Sequence, residues 1–183
     1  EDREPMDIVV LNLSQDPAES PSEEDLDDGP MYIDNVVVKV DGQVVFSDDF
    51  ESYNVGPLFP QAAAKWQWRG TAGAEDKAEV VSKDGGKVLK VDPFGTSNQY
   101  VSPSAILPAT YGAAGEMIEV TWRQFREDLT DNVYVGDYDC PAEMFQWDSN
   151  GWAYTACTDP DWQMVAELTP GVWQDGYIAY DYS

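Results

Sequence analysis

No stretch of the chain keeps apolar residues on a helical period for as many as ten residues, while short runs of β-branched and aromatic residues recur from end to end. That pattern argues against a helical bundle and leaves strands as the building material. "DIVVLNL" (7–13) is an apolar run, and "YIDNVVVKV" (32–40) is rich in valine. "VDGQVVF" follows with an Asp-Gly turn, and "AEVVS" (78–82), "DGG" and "KVLKVD" (87–92) read as a hairpin. "EMIEVTWRQF" (116–125) alternates, so that Ile118, Val120 and Trp122 point one way and Glu119, Thr121 and Arg123 the other. "DNVYVGDY" (131–138), "EMFQWD" (143–148), "GWAYTA" (151–156), "WQMVAEL" (162–168) and "WQDGYIAYDY" (173–182) continue the series. Short strands divided by Gly, Pro, Asn and Asp predict an all-β, antiparallel sandwich. One turn of helix is expected near "PQAAAKW" (60–66).

The chain is long enough for one β domain with a sizeable core, and 43% of its residues are hydrophobic. Ten basic residues stand against 35 acidic ones, a net charge of −25. Such a field repels nucleic acid and anionic membrane surfaces, which are therefore not expected as partners. It suits a solvated surface in salty water, and it attracts divalent cations. There is no histidine, which removes histidine triads, histidine metal sites and the usual general base near neutral pH. No run approaches the roughly 18 apolar residues of a membrane helix. No signal peptide is visible and the sequence starts mid-pattern, as expected of a mature or excised product.

Cys140 and Cys157 flank two strand-like segments around the turn "DSNG". A disulfide fits that hairpin and an extracellular or cell-surface location, and two buried thiols are the alternative. Two cysteines without histidine do not complete a zinc shell. The segment "SQDPAESPSEEDLDDGP" (14–30) carries seven acidic residues and three prolines, and reads as a solvated loop or linker. "NLS" makes Asn12 a glycosylation sequon.

The stretch "FSDDFESYNVG" (46–56) resembles the opening strand of extracellular jelly-roll domains of the carbohydrate-binding-module and concanavalin-like class. Domains of that class run on to a tryptophan, here Trp66 or Trp68, and to a strand such as "GGKVLKV" (85–91). They carry Gly-x-Trp near the end, here in "GVWQDGYIAYDYS", and close with a strand such as "YIDNVVV". The pieces cover most of this chain, but the closing pieces stand first. Residues 45–183 followed by 1–44 would make one complete sandwich. Residues 1–44 are therefore expected to complete a neighbouring copy, by strand exchange or in a chain of repeats cut out of register. Circular permutation is the third arrangement. The first two make the partner another copy of the chain and produce a linear polymer.

The resemblance also implies ligands. In this class a structural calcium often sits where the opening and closing strands meet, which points to Asp34, Asp48, Asp49 and Glu51. Calcium wants about six to eight oxygens, which carboxylates and carbonyls supply. The alternative is that Asp34 and Asn35 cap a turn and the Asp-Asp pair is solvated. Sugar binding by analogy points to Trp147, Trp152, Tyr154 and Trp162, with the sandwich core or a subunit contact as the alternative place for these rings. Trp122 and Trp173 are expected in the core. No carboxylate pair has the spacing of a sandwich hydrolase, so an enzyme is not expected. The leading expectation is a structural subunit of an extracellular filament or surface assembly. The second is a non-catalytic module that binds polysaccharide.

Overall fold

The computed structural model describes residues 6–14, 30–70, 72–92, 100–127, 132–137, 145–147, 152–155, 163–167 and 169–182, with side chains at 6, 30–70, 72–92, 101–127 and 169–182. The described strands are β1 (Met6–Ser14), β2 (Met31–Val40), β3 (Gln43–Asp48), β4 (Gly56–Pro57), β5 (Trp66–Trp68), β6 (Ala78–Lys83), β7 (Gly86–Val91), β8 (Tyr100–Val101), β9 (Pro103–Tyr111), β10 (Met117–Arg126), β11 (Asn132–Asp137), β12 (Phe145–Trp147), β13 (Trp152–Thr155), β14 (Gln163–Glu167) and β15 (Gln174–Asp181). The only described helix is a 3-10 turn, Glu75–Lys77. Residues 58–66 contain the expected helical turn, with Ala62 N donating to Leu58 O and Trp66 N to Ala62 O.

Two antiparallel sheets form a sandwich. The first has the order β14-β13-β12-β11-β1-β9-β5, with β8 also on β1. The second has the order β15-β10-β2-β7-β6-β4, with β3 also on β2. One core joins them: Met6, Trp66, Val101, Ala105 and Leu107 of the first sheet meet Ile33, Val36, Val38, Leu89, Ile118, Val120 and Trp122 of the second. The alternation of β10 holds as expected, with Ile118, Val120 and Trp122 buried and their neighbours half-exposed.

Local chemistry sets the hairpins. Asp41 and Gly42 have φ of 48° and 75°, and Asp84 and Gly85 have φ of 52° and 90°. Paired left-handed residues give the tight turn whose twist matches that of the flanking strands. The "IDN" of β2 is a bulge. Asp34 pairs with Arg123 and Val37 with Thr121, so Asn35 and Val36 together face Trp122. Asn35 takes φ 51°, a region asparagine tolerates, and the Asp34 carboxylate accepts from Asn35 N at 2.7 Å. The extra residue lets Ile33 and Val36, three apart, both face the core. Strand β9 was not expected, because Pro103 and Pro108 argue against a strand. Pro103 begins it, and Pro108 falls where the pairing jumps from Ile8–Ile106 to Met6–Tyr111.

The strands of residues 1–44 take their partners from residues 45–183 of the same chain. β1 lies between β9 and β11. β2 lies between β10 on one edge and β3 and β7 on the other. Both are interior strands, and without them each sheet would fall into three pieces. Within the single chain, residues 1–44 thus supply one interior strand to each sheet. The described ends of the chain converge accordingly: Met6 pairs with Tyr111, while Gly115 N donates to Tyr182 O at 2.9 Å.

Candidate functional site

The four carboxylates of the expected calcium site do different work. Asp48 is buried and faces inward at the end of β3. Its Oδ1 accepts from Phe50 N at 3.0 Å, and its Oδ2 from the Tyr53 hydroxyl at 2.6 Å and Trp66 Nε1 at 2.8 Å. The Lys65 ammonium stands 3.7 Å away. This carboxylate ties β3 of the second sheet to β5 of the first. It also holds Phe50, a buried core residue, at φ 57°. Burial, and then the bond to Asp48, raise the Tyr53 hydroxyl well above its ordinary pKa. Asp49 Oδ1 accepts from Glu51 N, and Glu51 Oε1 accepts from Lys87 N at the start of β7. Asp34 serves the bulge. Partial burial raises its pKa, with Asp49 and Glu51 adding to the rise against the opposing pull of Asn35 N and Arg123. Among the described residues, no group of three or more acidic or cysteine side chains is arranged to hold a metal ion.

Of the aromatics expected to meet sugar, Trp147 lies on β12 and pairs with Ala153, and Trp152 and Tyr154 lie on β13. Their side chains, Trp162, and both Cys140 and Cys157 lie outside the described residues. Asn12 is in the middle of β1, paired with Tyr134, in an interior strand rather than a loop.

The aromatic surface that the structure does describe is on the outer face of the second sheet. Alternation turns Tyr32 of β2 and Phe125 of β10 away from the core. Their ring centroids are 6.0 Å apart, and Phe125 continues to Trp173 at 5.6 Å. Trp173 is thus half-buried on this face and not in the core, whereas Trp122 is buried as expected. The Arg123 guanidinium lies 5.1 Å from the Trp173 centroid and pairs with Asp175 at 3.5 Å. Trp173 Nε1 donates to Asp84 Oδ2 at 2.8 Å.

That last bond carries geometric information. Asp84 sits in the β6–β7 turn, and Trp173 directly precedes β15. Three strands, β10, β2 and β7, separate β15 from β6 in the sheet. For that contact the tip of the β6–β7 hairpin folds over the outer face of the sheet toward β15. At the same end Lys83, the residue before Asp84, places its ammonium 4.1 Å from the Tyr32 centroid and 4.0 Å from the Phe125 centroid. Glu127 Oε1 is 3.9 Å from that ammonium and accepts from the Tyr32 hydroxyl at 3.5 Å, the outer limit of a hydrogen bond.

Sequence reasoning missed this row, although its signal was present. Extending the polar parity of β10 from Arg123 by two residues lands on Phe125, and Tyr32 has the opposite parity to the core residue Ile33. Comparison with protein-family models, with curated proteins and with solved structures returns no match for this chain.

Proposed function

We propose that this chain is a non-catalytic carbohydrate-binding module of the jelly-roll class, holding a polysaccharide on the outer face of its second sheet. The observation that supports the reading is the row Tyr32, Phe125 and Trp173, half-exposed and outward, with Arg123, Asp84, Asp175 and Glu127 beside it. Aromatic faces stack on sugar rings, and charged groups next to them bond hydroxyls. Both ionic signs are interleaved on this face, as a ligand rich in donors and acceptors needs. Pairing of β1 and β2 within the chain favours a closed module over an incomplete subunit. An extracellular location accompanies the proposal.

Affinity electrophoresis against a panel of soluble glycans tests it. Retention by at least one glycan is expected, falling about five- to a hundredfold in Trp173→Ala, since one aromatic stacking platform is worth roughly 1–3 kcal/mol. Migration indifferent to every glycan, or unchanged by Trp173→Ala, would remove the proposal.

A second reading, a structural subunit joined by strand exchange, is favoured by one feature of the topology. β2 is bound to β3 by a two-residue turn, so it stays with its own body, whereas β1 is joined to β2 through the long acidic segment 15–29. Exchange between copies would then move β1 alone. Sedimentation of the unliganded chain distinguishes the readings: a monomer supports the module, and a concentration-dependent series of oligomers supports exchange.

A further inference from the structure

Resting on the binding reading above, we infer that this outer face selects a polysaccharide bearing free amino groups, and that Lys83 occupies the amine position in the unliganded chain. Two aromatic faces and a carboxylate around one ammonium are the chemistry by which proteins recognise organic cations. Tyr32, Phe125 and Glu127 supply that set, and the Lys83 ammonium sits within it at 4.1, 4.0 and 3.9 Å.

The occupant is replaceable. Lys83 is the last residue of β6, next to the Asp84–Gly85 turn, and is held in the cage by a long flexible side chain. It can swing away without breaking a strand pairing. Glu127 remains open to solvent, with 55% of its side chain exposed, so an arriving amine has an approach. The whole-chain charge of −25 concentrates cations and repels uronate or sulfated polymers. A neutral glycan could stack on Trp173, but it would leave the carboxylate without a cation if Lys83 moved. An amino sugar replaces the lost charge while its ring covers the aromatics. Binding is then a competition between the chain's own amine and the ligand's.

Calorimetry with short oligomers tests this with the full chain. The probes are a β-1,4-linked glucosamine tetramer, its fully N-acetylated counterpart, a neutral glucose tetramer and a uronate tetramer. The variants are Lys83→Met and Lys77→Met, the second removing one positive charge at the other end of β6. Lys83→Met is expected to tighten glucosamine binding roughly tenfold, as loss of a competing cation–π contact allows. Lys77→Met should give at most the small change that one unit of net charge produces, and the N-acetylated tetramer should gain nothing from either variant. Equal effects of the two variants would overturn the inference, reducing the attraction to bulk charge. Binding of the neutral tetramer with none of the glucosamine tetramer would overturn it while leaving the carbohydrate-binding reading intact. Failure of all four probes to bind would overturn the inference, and with the glycan panel also blank it would take the carbohydrate-binding reading with it.

Discussion

Asp48 shows how one side chain can hold a fold that its surroundings would otherwise penalise. A buried carboxylate is costly unless it is hydrogen-bonded, and this one has three donors and a nearby ammonium. One of those donors belongs to Phe50, whose left-handed backbone is unusual for an aromatic residue. Asp48→Ala would strand the Trp66 indole N–H in the core and take the acceptor from the half-buried Tyr53 hydroxyl. Chemical denaturation should register a loss of about 3–5 kcal/mol. Because three protein donors already occupy most of its accepting positions, the wild-type melting midpoint is expected to be the same with chelator and with added calcium at matched ionic strength. A calcium-dependent rise abolished by Asp48→Asn would instead place a cation at this carboxylate. Asp34 makes a different, pH-dependent statement. Its folded pKa is raised above 3.8, chiefly by burial, so the folded state favours the protonated form. Its stabilising contribution is present below 3.8 and is lost as pH rises through the raised value. Asp34→Asn keeps an acceptor for Asn35 N but cannot ionise. The midpoint of the variant minus that of wild type should therefore grow as pH climbs through that acid window and then level off. A difference independent of pH would show that Asp34 carries no such linkage.

Among the elements, the pairing of β10 with β15 depends on an empty place. Trp122 pairs with Gly176, and a Cβ built on Gly176 would lie 2.1 Å from the Trp122 ring. The indole is 2% exposed and its Nε1 donates to Gln124 at 3.1 Å, so it has nowhere to retreat. Gly176→Ala should destabilise by about 1–3 kcal/mol through overpacking. Trp122→Phe in the same chain should recover part of that loss, because the smaller ring gives way. A thermal melt of the two single variants and the double reads the coupling. Additive losses would mean that the contact is not the cause. The bulge at Asn35 works in the same register-setting manner: it absorbs one residue, so that Val36, Val38 and Val40 beyond it face inward.

For the whole molecule, the two described ends of the chain come to one place. Met6 and Tyr182 both attach to the 111–117 connection, while the β2–β3 turn lies at Asp41–Gly42. A permutant that starts at Gly42, runs through a join of Ser183 to Glu1, and ends at Asp41 keeps the strand pairings described above. It should melt cooperatively with an unchanged far-ultraviolet circular dichroism spectrum. A collapsed, non-cooperative product would mean that the β2–β3 turn is needed to form the second sheet.

Strand identity was legible in the sequence because it depends on local alternation and turn chemistry. β10, both Asp-Gly hairpins and the strands from β11 to β15 follow from neighbours within a few residues of one another. Strand β9 escaped because its prolines oppose a strand locally, and only a jump in the pairing with β1 accommodates Pro108. The opening-strand carboxylates read as a cation site because sequence places Asp48 near Asp49 and Glu51. The structure adds what those residues alone do not show, the Trp66 and Tyr53 donors brought to Asp48. The aromatic row could not be read as a row, since Tyr32, Lys83, Phe125 and Trp173 come from four separate segments. Periodicity dictates which way a side chain points from its own strand. Which strands lie side by side depends on packing two sheets around one core, and that packing joins residues more than a hundred positions apart, such as Val9 and Asp137.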